Sequence, residues 1–259
     1  MEINDTTQVW QEKLQQCLVA YDCVSNPRNM EVREVISGKY VVPMPAYINL
    51  KARNVNIGFM FAEAAWILSG SNRLDELTPH IKGYARFSDD DVFMRGAYGP
   101  KVVDQLGYIV DTIATDNDSR QAVLNIWRER PGYSKDIPCT ISMQFLLRDK
   151  KLHAVVTMRS NDVVLGFTYD VFTFSMVTLA VSLLLKARGI QNELGNLHVN
   201  AGSLHLYEDY YERASLWVEG EQADQEVHKC VGQVLEGSST YELLVDNLKK
   251  GAESAKNSH

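Results

Sequence analysis

Cys139 follows Pro138 and opens the run Thr140 to Leu147, where Ile141, Met143, Phe145 and Leu147 alternate with Thr140, Ser142 and Gln144. That is the period of a strand, so the chain places a thiol at a strand's mouth. A thiolate there could attack an electrophilic carbon if positive charge nearby lowers its pKa. Taken by itself, a free cysteine is more often an inert, buried small hydrophobe. Arg148-Asp149-Lys150-Lys151 turns the chain into a second strand, Leu152 to Arg159, in which Thr157 and Arg159 share a face. This strand delivers Arg159, Ser160 and Asp162 to one end of the sheet. Leu165-Gly166 then brings Asp170 to the start of a long apolar helix, where aspartate is also a natural N-terminal residue. Upstream, Glu63 lies among Phe59, Met60, Ala64, Trp66, Ile67 and Leu68. Most helical glutamates are exposed, but one held in an apolar wall has its pKa raised toward neutrality and could shuttle protons.

These groups need elements to position them. Val9, Trp10, Leu14, Leu18 and Tyr21 predict an amphipathic helix over Thr7 to Asp22. Asn26-Pro27 breaks it, Arg28 falls in the loop that follows, and Val32 to Val42 reads as short strands around Gly38. A helix over Ile57 to Leu68 ends at Ser69-Gly70. Tyr84 to Pro100 is rich in turn formers, and its Asp89 to Asp91 reads as a solvated loop rather than a metal site. Gln105 to Ala114 predicts a helix, and Asp118-Ser119-Arg120 precedes an apolar strand, Ala122 to Trp127. Asp170 to Lys186 is apolar on nearly every side, the mark of a buried helix. The segments Leu194 to Val199 and Ser203 to Tyr207 bring His198, His205 and Tyr207. The expected architecture is α/β, one domain over residues 1–250 and a polar, disordered tail over 251–259.

Composition narrows the function. With 259 residues, 45% apolar, the chain can bury a large core. A net charge of −7 argues against a surface for polymeric nucleic acid, though a single phosphate remains a possible ligand. Cys17, Cys23, Cys139 and Cys230 lack metal-site or disulfide spacing, which fits reduced thiols in the cytoplasm. The polar N-terminus has no signal core, and the run Val171 to Leu185 falls short of the ~20 residues of a membrane span.

Pro138-Cys139, Arg159-Ser160-x-Asp162-x-x-Leu165-Gly166 and Gly202-x-x-His205-x-Tyr207 stand in one order. They are joined by Glu63-x-x-Trp66-x-Leu68-x-Gly70, Tyr98-Gly99 and Asp118-Ser119-Arg120. Together they resemble the thymidylate synthase family from about Arg28 to Tyr211. The resemblance implies a large twisted mixed sheet packed by helices, paired back to back in a homodimer. It implies Cys139 as nucleophile, with Glu63 and Tyr98 in the catalytic set. Arg28, Arg120, Arg159 and Ser160 would hold the nucleotide phosphate, with Arg120 reaching across to the partner subunit. His205 and Tyr207 would hold the sugar 3′-hydroxyl, and Asp162, Gly166 and Asp170 would complete the nucleotide site. Tyr84, Phe87 and Asp162 would face the cofactor, 5,10-methylenetetrahydrofolate. No metal is implied.

The departures redirect that reading. Where the synthases carry asparagine to read uracil, this chain has Asp170; an ionised carboxylate only accepts, which suits the N4 amino group of cytosine. The same exchange, with the Arg159-Ser160-Asn161-Asp162 quartet, resembles the deoxycytidylate and cytidylate hydroxymethylases. Tyr84 stands where the synthases have tryptophan, a change that could admit water to the one-carbon intermediate. Gln121 replaces a second arginine, the loop after Arg28 lacks the family's glycines, and the C-terminal segment lacks an apolar closing sequence. The expectation is therefore 5-hydroxymethylation of a cytosine nucleotide, dCMP favoured over CMP. The alternatives are a dUMP-directed enzyme and, from another class, a nucleotide-binding homologue without turnover.

Overall fold

The computed structural model describes residues 2–128 and 132–256. Six strands, β1 (Cys23–Ser25), β2 (Val32–Pro43), β3 (Val123–Asn125), β4 (Thr140–Arg148), β5 (Lys151–Asp162) and β6 (Glu193–Tyr207), form one mixed sheet in the order β1-β2-β6-β5-β4-β3. β5 and β6 pair in parallel and the other neighbours antiparallel. A parallel pair needs a crossover. Here it is the helix α4 (Leu165–Ala187), so β5, α4 and β6 form one βαβ unit. Its register sets Ser160 beside Ser203 and Asp162 beside His205, while Thr140 pairs with Met158. The strand ends that carry Cys139, Ser160, Asp162 and His205 therefore converge.

The remaining helices are α1 (Asp5–Val19), α2 (Ile57–Leu68), α3 (Gly99–Thr115), α5 (Tyr211–Val218), α6 (Gln225–Glu236) and α7 (Tyr241–Lys256). The core runs between the sheet and these helices, with Trp10, Phe61, Phe145, Phe167, Phe172 and Phe174 fully buried. α4 is long and apolar enough to cross a membrane, so the length argument from Val171 to Leu185 does not hold. Burial is what marks it as a core helix: 83% of its most apolar window is inside the protein.

Several expected boundaries move. β2 is one strand rather than two, because Gly38 lets it pass β6: a Cβ there would lie 2.5 Å from Leu204 Cβ. β6 likewise runs unbroken, and β3 is only three residues long. α1 stops at Val19, and α3 starts at Gly99, with proline in its first turn as helix geometry favours. The tail expected to be disordered is helical through Lys256. Leu244, Val245, Leu248 and Ala252 recur at helical spacing and are buried, which carries α7 past residue 250. The end of that expected tail, 257–259, lies outside the described residues.

Candidate active site

Cys139 is half-buried immediately before β4, and its carbonyl accepts the backbone N–H of Arg159 at 2.8 Å. Burial pushes its thiol above the ordinary cysteine range and Asp170 adds to this, whereas Arg159, the Ser160 hydroxyl and Arg28 pull it down. The balance corrects the expectation of a thiolate in the free chain: desolvation outweighs the guanidinium charges. The guanidinium charges that reach it are those of Arg159 and Arg28. Arg28 stands in a 3₁₀ turn after β1 with left-handed φ of 56°, exposed to solvent. Arg159 is exposed too, and its guanidinium donates to the carbonyls of Ile137 and Pro138.

Arg120 is not brought to this centre. It is exposed in the loop before β3, with its carbonyl accepting from Gln144 Nε2 at 2.8 Å. Gln144 lies five residues along β4 from Cys139, about 16 Å at strand rise.

Tyr98 precedes α3 and faces the neighbour of Cys139: its hydroxyl accepts from the Thr140 N–H at 3.2 Å and from Thr140 Oγ1 at 3.0 Å. The phenol lies close enough to Cys139 and Asp170 for both to raise its pKa further, after burial. Glu63 reaches the same space from α2. Tyr84 donates to its Oε1 at 3.5 Å and Thr173, on α4, to its Oε2 at 3.4 Å. Burial nevertheless pushes its carboxyl up to about 7, as a proton-shuttling role requires. Tyr84 and Phe87, both on the 3₁₀ helix Lys82–Phe87, meet edge to face at 5.9 Å, and Phe59 packs on Tyr84 at 5.8 Å.

Asp170 lies in the second turn of α4, not at its start. The helix begins at Leu165 because Asp162 Oδ1 accepts the N–H groups of Val164 and Leu165, so Asp162 is the residue that caps. Asp170 accepts instead from Asn161 Nδ2 at 2.8 Å. Its carboxyl is held well above the usual range by burial, with Glu63 and Asp162 adding negative charge. An ionised Asp170 was the premise for cytosine recognition, and this surrounding favours the neutral acid instead.

His205 is buried at 7% exposure beside Asp162, with its Nδ1 3.4 Å from Ser203 Oγ and its ring edge-on to Tyr207 at 5.1 Å. Burial lowers its pKa and raises that of Asp162, each opposed by the other's charge. Gly166, in the first turn of α4, faces Asn161 and Asp170: a Cβ would sit 3.0 Å from Asn161 Nδ2 and 3.1 Å from Asp170 Oδ2.

Three residues in this cluster were not picked out from the sequence. Thr173 stands one helical turn from Asp170, and that spacing was a usable signal. Asn161 was visible within its quartet but carried no assigned role. Tyr40, which reaches Asn161 from β2, gave no local signal. Chemically, the site combines a nucleophilic thiol, two proton-holding carboxyls, exposed cations for an anionic group and an aromatic wall. Among the described residues no cluster of His, Cys, Asp or Glu could hold a metal ion.

Comparison with known proteins bears on the family and the fold. The thymidylate synthase family model matches residues 42–230, well over half of the chain. The deoxyuridylate hydroxymethyltransferase of Bacillus phage SP01 is 30% identical over 252 residues, covering 89% of this chain and 62% of that protein. The deoxyuridylate hydroxymethyltransferase of Delftia phage PhiW-14 is 29% identical over 196 residues, 70% of this chain and 54% of that protein. This chain thus spans between half and two thirds of the length of these relatives. Thymidylate synthase A from Bacillus subtilis shares the fold with a TM-score of 0.68 at 19% identity, covering 85% of this chain and 87% of that one.

Proposed function

Because the chain belongs to the thymidylate synthase family, we propose that it transfers a one-carbon unit to C5 of a pyrimidine nucleoside monophosphate and hydrates it to hydroxymethyl. Cytosine is the base and dCMP the favoured substrate. The observation that carries this reading is the convergence of Cys139, Glu63 and Asp170 at one end of the sheet.

Cys139 Sγ adds to C6 of the ring, which moves an electron pair toward C5 and turns a poor nucleophile into a competent one. Since the thiol of the free chain holds its proton, the step requires that proton to leave as the bond forms. 5,10-Methylenetetrahydrofolate supplies the carbon at the oxidation level of formaldehyde. The aromatic wall of Tyr84, Phe87 and Phe59 beside Glu63 fits a flat heteroaromatic ring, and Asp162 Oδ2 accepts no hydrogen bond among the described residues. A hydroxymethyl product is at the donor's own oxidation level, so water in place of hydride balances the reaction. Glu63, titrating near neutrality, positions that water and takes its proton. Before that addition the C5 proton is lost as the carbon's bond to the folate nitrogen breaks and tetrahydrofolate leaves, giving an exocyclic methylene on the ring; addition of the water then returns an electron pair to the ring, which restores the C5–C6 double bond and expels the Cys139 thiolate.

Arg28, Arg159 and Ser160 supply cationic and hydroxyl donors for the phosphate, and His205 with Tyr207 the contact to the 3′-hydroxyl. Arg120 serves the partner subunit's phosphate in a sheet-to-sheet homodimer. Supporting that pairing, the open sheet face carries a shallow cavity lined by Leu146, Val155, His153, His198, Arg148 and Asn200.

Asp170 reads the base. As a neutral acid it donates to cytosine N3 and accepts from the N4 amino group, a fuller match than the carboxylate offers. A second reading, dUMP as substrate, is favoured by the names of the phage relatives and by the same neutrality, since donor and acceptor reversed would match O4 and N3–H. Incubation with dCMP, CMP and dUMP plus the folate, with products resolved by mass, decides between them. Hydroxymethyl-dCMP is expected; methylated dUMP as the only product would refute the proposal.

A further inference from the structure

Asp170 on α4 is held by Asn161 on β5, which is braced in turn from β2. Asn161 on β5, only 1% exposed, donates Nδ2–H to Asp170 Oδ2 at 2.8 Å. Its own Oδ1 accepts from the Tyr40 hydroxyl on β2 at 3.1 Å. Tyr40 is buried and stacked on Phe167 of α4 at 4.2 Å, which fixes its ring. That hydroxyl has one acceptor among the described residues, so the amide must turn its oxygen to Tyr40 and its N–H to Asp170. Gly166 keeps the space open, since a methyl group there would crowd both ends of the Asn161–Asp170 bond. Asp170 Oδ1, by contrast, accepts no hydrogen bond among the described residues and is not sealed from solvent.

We propose that Asn161, braced by Tyr40, is a specificity-determining positioning residue: it commits Oδ2 of Asp170 to accepting and leaves Oδ1 to carry the proton, so the base edge meets donor and acceptor in one set order. This rests on the reading that Asp170 faces the base. Cytosine presents an acceptor at N3 beside a donor at N4; uracil presents the reverse. A neutral carboxyl free to move its proton between oxygens would satisfy either base. One with a set order satisfies a single base and meets the other with donor against donor and acceptor against acceptor, leaving buried polar groups unpaired. The titratable groups facing Asp170 are Glu63 from α2, Asp162 from the end of β5, Cys139 before β4, Tyr40 from β2, and Tyr84 and Tyr98 between α2 and α3. None of these is a cation that would favour the carboxylate.

The test compares the ratio of kcat/KM for dCMP and dUMP, and calorimetric Kd values for both, in wild type, Asn161→Leu, Tyr40→Phe and Asp170→Asn. Asn161→Leu should lower the discrimination between favoured and disfavoured base by about tenfold or more. Tyr40→Phe, which only frees the amide to rotate, should lower it by less and stays informative if Asn161→Leu folds poorly. Equal weakening toward both bases in both variants would show that Asn161 merely packs, and would overturn the proposal while Asp170 as reader stands. If Asp170→Asn also leaves the preference unchanged, the base-reading assignment itself fails, and this proposal with it.

Discussion

The backbone N–H of Arg159 holds the Cys139 carbonyl at 2.8 Å while its guanidinium holds the carbonyls of Ile137 and Pro138 at 3.0 and 3.1 Å. One residue thus grips the main chain entering the nucleophile and supplies positive charge to its thiol. Arg159→Ala should raise the pH at which Cys139 is alkylated by iodoacetamide, followed on the Cys139 peptide by mass. Arg159→Lys should leave that pH nearly unchanged yet still lose turnover, because an ammonium cannot hold two carbonyls in one plane. An unshifted profile in Arg159→Ala would remove the electrostatic role.

Glu63 links activity to a stability cost. Its carboxyl rises from 4.5 to about 7 on folding, so between those values the folded chain keeps a proton that the unfolded chain releases. Stability therefore falls as pH rises through this window and stays reduced above it, by about 3 kcal/mol at most. Glu63→Gln should be more stable than wild type at pH 8, equal to it near pH 4, and inactive. Urea melts at the two pH values check this; a Glu63→Gln protein less stable at pH 8 would contradict it.

Tyr98 holds the residue next to Cys139. Tyr98→Phe leaves the Thr140 N–H and hydroxyl without their acceptor, a loss of about 1–3 kcal/mol. We expect a lower Tm and a fall in kcat that exceeds any rise in KM, since the change loosens Cys139 rather than the nucleotide. Steady-state kinetics with a thermal melt measure both; an unchanged kcat would show that the strand mouth holds without it.

Arg120 tests assembly. Arg120→Ala and Cys139→Ala should each be inactive alone. Co-refolded in equal amounts, half of the dimers are mixed and each of those keeps one intact site, so about a quarter of wild-type activity should return. A fully active monomer in sedimentation would exclude the shared site.

The alternation of Ile141, Met143, Phe145 and Leu147 was enough to put Cys139 at the mouth of a strand, and the run Leu152 to Arg159 to bring Arg159, Ser160 and Asp162 to one end of the same sheet; that His205 joins them from β6 came from the structure. Those are period-2 patterns, which a linear sequence carries in full. The apolar neighbours of Glu63 on its own helix raised the prospect of a shifted pKa, but its burial depends on Tyr84 and Thr173 from other elements. Helix boundaries were less legible where a cap lies outside the periodic run: Asp162, not Asp170, starts α4.

What only the tertiary structure decided is the charge state of the site. Burial comes from elements far apart in the chain, and it reverses two expectations: Cys139 is held as a thiol and Asp170 as an acid. Asp170 is hydrogen-bonded by Asn161 and, through it, linked to Tyr40, which lies 121 residues before Asn161. No local pattern encodes such a chain of donors and acceptors, since each hydrogen bond exists only once β2, β5 and α4 have packed.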